Sequence, residues 1–257
     1  MSTSAILVND GQALPPVPLL TTIFEQQVSL PRPVAMRLAG RARWIVWEDA
    51  PHTSAQAVAD GLSSAGYRVA VVAQSDVVPT LTPRRVHIVK PEVEALGLQL
   101  KYSGPLEHIA WPDVLVLSAG AIREEKTKTE HVEVDLGRQG KYIETRTKVD
   151  ITRTILADLY VTTASGSLLY VRLHCQEVNY AQSIGASAHE SWRDKFAVLV
   201  ARLGLCATSA AISPQTEALL AAGMVPDACT TSAYFADEDE FAIYNRWLAT
   251  RKRLGLA

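Results

Sequence analysis

Few residues of this 257-residue chain have the types and spacing that local chemistry requires. Ala164-Ser165-Gly166-Ser167 offers a serine, but it lacks the Gly-x-Ser-x-Gly elbow and the strand-to-helix turn that exposes a nucleophile. Its composition is that of a hairpin turn. His174 and Cys175 are adjacent, so on a strand they point to opposite faces and cannot hold one metal ion together. His52 near Glu48 and Asp49, and His189 near Glu190 and Asp194, are sparse sets for a metal that equally describe solvated surface groups. Gly137-Arg-Gln-Gly140 is the nearest glycine pair to a phosphate cradle. It lies between apparent strands and no Lys-Ser/Thr follows, so it too reads as a turn. These residues assign no catalytic residue, no metal ligand and no cofactor.

Two non-local possibilities stay open. An enzyme site could be assembled from distant positions, with His174, Asp158 and Glu177 as candidates in the β region. The most basic stretch carries Lys126, Lys128, Arg138, Lys141 and Arg146, and these are candidate contacts for an anionic ligand or lipid headgroup. Acidic residues are interleaved throughout it, which equally describes a solvated hairpin. Only Tyr142 supplies an aromatic there, too little for a stacking nucleic-acid groove.

Composition narrows the classes further. Hydrophobic residues make up 48% and charged residues 20%, which suits a globular chain. The formal net charge of -2 does not favour a general nucleic-acid or anionic-membrane binder. The first residues lack a basic segment followed by an apolar one, so no signal peptide is read, and no apolar run reaches the roughly 20 residues of a membrane span. Three widely spaced cysteines, Cys175, Cys206 and Cys229, suit a reducing compartment, and the expected location is cytoplasmic.

The elements that must position these residues fall into three stretches. In residues 1–78, apolar periodicity predicts a strand at Ala5–Val8, helices at Leu19–Gln27 and after Pro31 and Pro33, and a strand at Trp44–Trp47. A helix at Ser54–Ala65 follows, with Thr53 and Gln56 as a capping box and Gly66 as its stop, and then a strand at Arg68–Val72. Residues 79–206 read as a series of strands of five to eight residues: Arg85–Val89, Leu98–Tyr102, Asp113–Ser118, His131–Leu136, Tyr142–Lys148, Ile155–Thr162 and Leu168–Cys175. A closing helix opens at a capping box of Ser187 and Glu190 and stops at Gly204. Residues 207–257 read as a helical extension packed on the β domain. One of its helices starts at Ser213-Pro214, and another begins with Asp237-Glu238-Asp239-Glu240 and ends with Arg251-Lys252-Arg253, charges that complement the helix dipole.

The run Ser29 to Leu38, Trp44 to Glu48 and Ser54 to Val69 resembles the C-terminal domain of the bacterial ribosomal stalk protein. That resemblance implies a βααβαβ sandwich usable for protein docking. Prolines at 31 and 33 replace the family's charged helix formers, so its translation-factor binding does not carry over. The strands closed by a helix, with Leu106 to Leu117 as a strand entry, resemble a PH-like domain. The whole chain resembles uncharacterised planctomycete and myxobacterial proteins that end in a Phe-x-x-Tyr-x-x-Trp-Leu helix, here Phe241 to Leu248. The expected class is α+β: an N-terminal βααβαβ sandwich, then an antiparallel PH-like β domain with C-terminal helices. The expected function is non-catalytic protein interaction or regulation, with a protein partner or a second copy bound through sheet edges or the terminal helix. Trp44 and Trp47 lie on opposite faces of one strand. Trp47, Tyr244 and Trp247 are the candidate interface residues.

Overall fold

The chain is α+β, with seven helices and three mostly antiparallel sheets among the described residues of the computed structural model. Those residues are 2–9, 13–100, 104–135, 141–185, 191–222 and 234–256.

The N-terminal stretch forms β1 (Thr3–Val8), α1 (Val17–Val28), α2 (Arg32–Arg41), β2 (Ile45–Pro51), α3 (His52–Ser64) and β3 (Val69–Ala73), in the expected order. Proline opens the first two helices, where its fixed φ is pre-organised and its missing N–H is no loss. The capping box expected at Thr53 and Gln56 does not form. Pro51 sits at the N-cap instead, no side chain caps α3, and Gln56 turns to Asp60 at 2.9 Å. Gly66, at a φ of 89°, ends that helix as expected. The strands form an antiparallel sheet in the order β2-β1-β3, with the three helices over one face. Strand alternation sends Ile6 and Val8 to the helices and Ala5 and Leu7 to the other side. Trp47 meets Phe24 edge-on at 5.4 Å on the helical face, while Trp44 packs on Tyr244 at 4.9 Å on the opposite one.

A small antiparallel sheet follows, made of β5 (Val89–Pro91), β6 (Ala95–Leu98) and β7 (Glu107–Ala110). The central sheet contains β4 (Arg84–Arg85), β8 (Val114–Asp135), β9 (Lys141–Thr162), β10 (Leu168–His174) and β11 (Ala211–Ile212), in the order β11-β8-β9-β10-β4. A last short strand, β12 (Tyr234–Phe235), also pairs with β8. The expected separate strands at Asp113–Ser118 and His131–Leu136 are therefore one strand of 22 residues, and so are those at Tyr142–Lys148 and Ile155–Thr162. Alternating Thr, Val and Ile keep the backbone extended through the charged stretch between them. Gly166, at a φ of 79°, closes the turn between β9 and β10.

One face of the central sheet is covered by α4 (Tyr180–Ile184), α5 (Trp192–Cys206), α6 (Pro214–Ala222) and the small sheet. Ser187 and Glu190, the expected cap of α5, lie outside the described residues; Ser191 caps the helix, accepting from the Asp194 N–H at 3.2 Å. Nor does Gly204 end it. The helix runs through that position to Cys206, and Gly204 instead makes room for Leu220, whose side chain lies 2.9 Å from where a Cβ would stand. The other face receives α7 (Glu238–Arg253). Asp237 caps this helix, accepting from Glu240 N–H at 2.7 Å, with acids in its first turn and bases in its last as expected. Helix α7 packs on the N-terminal sheet as well as on the β domain. Ala5, Leu7 and Ile45 share one buried cluster with Val116, Leu156 and Tyr160 of the central sheet and Phe241, Trp247 and Leu248 of α7. No described helix is long and apolar enough to cross a membrane.

Candidate functional site

Under α7 the central sheet carries a row of polar side chains in an otherwise apolar layer. Antiparallel register places Ser118, Asp158 and Arg172 opposite one another on β8, β9 and β10. All three side chains are buried. Arg172 grips Asp158 with two parallel bonds, Nε to Oδ1 at 2.8 Å and Nη2 to Oδ2 at 2.9 Å. Its remaining nitrogen, Nη1, donates to Glu238 on the first turn of α7 at 2.7 Å. Asp158 Oδ2 also accepts from the Tyr170 hydroxyl and from Asn245 Nδ2 of α7, the latter at 2.8 Å. The row therefore pins both ends of α7's first two turns.

The next row along the sheet is aromatic. Tyr160 and Tyr170 stack with centroids 4.6 Å apart and planes 12° from parallel. The Arg172 guanidinium lies 5.5 Å from the Tyr170 ring centroid and 5.7 Å from that of Phe241. Burial, with Asp158 beside them, raises both phenol pKa values, which keeps the hydroxyls neutral. Burial opposes the charge on Arg172, but the hydrogen bonds and charge of Asp158 outweigh it and hold the guanidinium protonated.

On the other side stand Gly120, Leu156 and His174. His174 is buried, and its pKa is lowered, first by burial and then by Arg85. Its Nε2, the Ser118 hydroxyl and Asn245 Oδ1 find no hydrogen-bond partner among the described residues.

The three residues considered for a distant catalytic site are neighbours, but they are not wired together. His174 and Asp158 occupy adjacent rows of one sheet face. Among the described residues the Asp158 carboxylate accepts from Arg172, Tyr170 and Asn245, and no hydrogen bond there joins it to His174. Glu177 is exposed and pairs with Arg85 at 3.1 Å. The Asp158 carboxylate thus accepts hydrogen bonds from three neighbouring side chains. The row joins α7 to the sheet and offsets buried charge.

The basic set is divided along the long hairpin. Lys126 and Lys128 lie on β8, and Lys141 and Arg146 on β9, while Arg138 lies outside the described residues. Across the ladder Lys126 faces Asp150, Arg146 faces Glu130 and Lys141 faces Asp135, whereas Lys128 faces Lys148. Of the interface candidates, Trp47 is half-buried against Phe24, and Tyr244 and Trp247 are buried between the two larger sheets. Among the described residues no group of His, Cys, Asp or Glu could hold a metal ion. Cys175 is buried and Cys206 half-buried, both as free thiols; Cys229 and His189 lie outside the described residues.

Sequence reading named Asp158 but missed its partner Arg172. A signal was present: each of the two strands flanking the Thr163–Ser167 turn carries one charge inside an apolar run, and counting back from the turn sets them opposite each other.

Fold and site together define an α+β protein whose last helix is clamped between two sheets by a buried ion network. No protein-family model matches the chain, and neither does any curated protein or solved structure.

Proposed function

We propose that this protein is a non-catalytic interaction protein that binds an extended segment of a protein partner along the β8–β9 ribbon. One observation carries this reading. Beyond Ile122 and Ile155, where β12 and the end of β10 leave the sheet, β8 and β9 continue as a two-stranded ladder from Arg123↔Arg153 to Asp135↔Lys141. At the rise of a β-strand this continuation is roughly 40 Å long. Both outer edges present alternate backbone N–H and C=O groups with no strand beside them among the described residues. A two-stranded ribbon is marginal in water by itself, and an added strand supplies the missing backbone bonds. The Thr-rich, charge-alternating composition guards such edges against indiscriminate pairing while leaving them open to a matched segment.

Joining Arg123 to Arg153 through an Asn-Gly turn removes the ribbon and leaves the core ladder intact. Tagged full-length and shortened chains, cross-linked and purified from cells that make the protein, should differ by a discrete set of partners held only by the full chain. Equal partner sets, or none with either chain, would overturn the proposal.

A second reading, anionic-ligand or lipid binding, rests on the facing pair Lys128 and Lys148. Flotation with phosphatidylserine vesicles at low and physiological salt separates the two. Vesicle binding abolished by Lys128→Glu would favour the lipid reading and count against the protein one.

A further inference from the structure

The two edges of the N-terminal sheet are built differently. On β2 the chain bulges, Asp49 adopts a positive φ of 53°, and Glu48, Asp49 and Pro51 interrupt any added strand. That edge carries the usual protections against pairing. Among the described residues the β3 edge carries none of them. Val69-Ala70-Val71-Val72-Ala73 has no charge, proline or glycine, and its four leading residues are half-buried. Register shows which groups are left over. Asn9 N–H bonds Arg68 C=O at 3.0 Å, so Ala70 and Val72 are the residues bonded to β1. Val69, Val71 and Ala73 therefore turn their N–H and C=O groups outward, and Val69 and Val71 find no backbone partner there among the described residues.

We infer that β3 is a self-association edge, on which a second copy of this chain pairs antiparallel about Val71. A two-fold axis there sets Val71 against Val71, Val69 against Ala73 and Ala70 against Val72, so the apolar strand meets a matching apolar strand. The outward residues form the hydrogen-bonded pairs. Charge selects the direction. Arg68 precedes the strand and Asp76 closes the turn after it, both exposed. An antiparallel copy brings Arg68 beside the other copy's Gln74–Asp76 turn, whereas a parallel copy would bring like charges together. Two three-stranded sheets thus become one continuous six-stranded sheet. Contact through a single five-residue edge is small, so the dimer is a weak one.

Sedimentation equilibrium of the purified full chain, over concentrations from about 1 to 100 µM, should show mass rising from 27.9 kDa toward twice that value. Val71→Pro removes an outward N–H and no bond to β1, and proline is tolerated on an edge strand, so the variant should remain folded by circular dichroism and stay monomeric. Arg68→Glu should shift the equilibrium at least tenfold toward monomer, and Arg68→Glu with Asp76→Arg should restore it. The ribbon-shortened chain should dimerise like the full one, which separates this inference from the proposed function. A full chain that stays monomeric throughout, or a dimer that neither Val71→Pro nor the charge reversal weakens, would overturn it. If Val71→Pro unfolds, the charge-reversal pair alone decides.

Discussion

Trp247 donates its indole N–H to the carbonyl oxygen of Val8 at 2.8 Å, with the ring almost wholly buried. The bond ties α7 to the first strand of the sequence. Around it Arg246 makes two 2.7 Å bonds to Glu48 on β2, and Thr250 accepts the Val78 N–H at 3.0 Å. The last helix thus belongs to the N-terminal sheet as much as to the β domain. Trp247→Phe keeps an aromatic plug but strands the Val8 carbonyl and leaves a gap where the indole's second ring lay. Chemical denaturation should show a loss of about 2 kcal/mol. A change below about 0.5 kcal/mol would mean that the bond and the packing are dispensable.

The Asp158–Arg172 pair makes a different demand, because both charges are buried: Arg172 is the cation that offsets Asp158, while Arg172 also meets Glu238. Removing either breaks a buried ion pair, which typically costs about 3–5 kcal/mol. Asp158→Asn and Arg172→Met should each be strongly destabilising in urea. The double variant should be destabilised by much less than their sum, with a coupling energy of about 2 kcal/mol or more. Additive losses would show that the two charges are separately solvated.

How far the sequence could be read depended on what each residue was buried against. The βααβαβ order was legible because Leu20, Ile23 and Phe24, then Val58 and Leu62, repeat at helical spacing between short apolar strands. The helix limits at α7 were legible from Asp237 and the basic last turn. The long hairpin was divided in two because charges between Arg123 and Arg153 interrupt the apolar alternation by which strands are recognised. The polar row was legible only in part, for another reason. Ser118, Asp158 and Asn245 look like surface residues one at a time, and only register together with the docking of α7 makes them neighbours. Tyr244 and Trp247, on the apolar stripe of α7, stood as interface candidates because nothing local reveals that a second sheet covers that stripe.

His174 gives the fold a pH dependence of definite sign. Its pKa in the folded chain lies below the ordinary value near 6.5, because burial and then Arg85 disfavour the imidazolium, against the opposite pull of Glu177 and Glu238. Between the two pKa values the unfolded chain binds more protons than the folded one, so stability rises with pH across that window. The protein should be at full strength above about pH 7 and weaken as pH falls below about 6.5. His174→Gln should flatten this limb of a stability profile measured in urea between those values and pH 5. An unchanged slope would place the titration elsewhere.

Gly120 tests how tightly α7 closes on the sheet. A Cβ added there would stand 3.0 Å from Phe241 Cε2 and 3.2 Å from Phe235 Cε2, and both rings are buried. Glycine-to-alanine exchange ordinarily stabilises a strand-compatible site by about 0.4–1 kcal/mol, through the entropy of the unfolded chain. Here the rings are held by each other at 4.9 Å and by Tyr244 against Phe235 at 5.4 Å, so they have little freedom to retreat. Overpacking should win, and Gly120→Ala should lower stability by about 1–3 kcal/mol. Displacing Phe241 also moves the ring beneath Arg172, so the loss should shrink when Gly120→Ala is made in an Arg172→Met background. A stabilised Gly120→Ala variant would show that α7 lies farther from β8 than this contact requires.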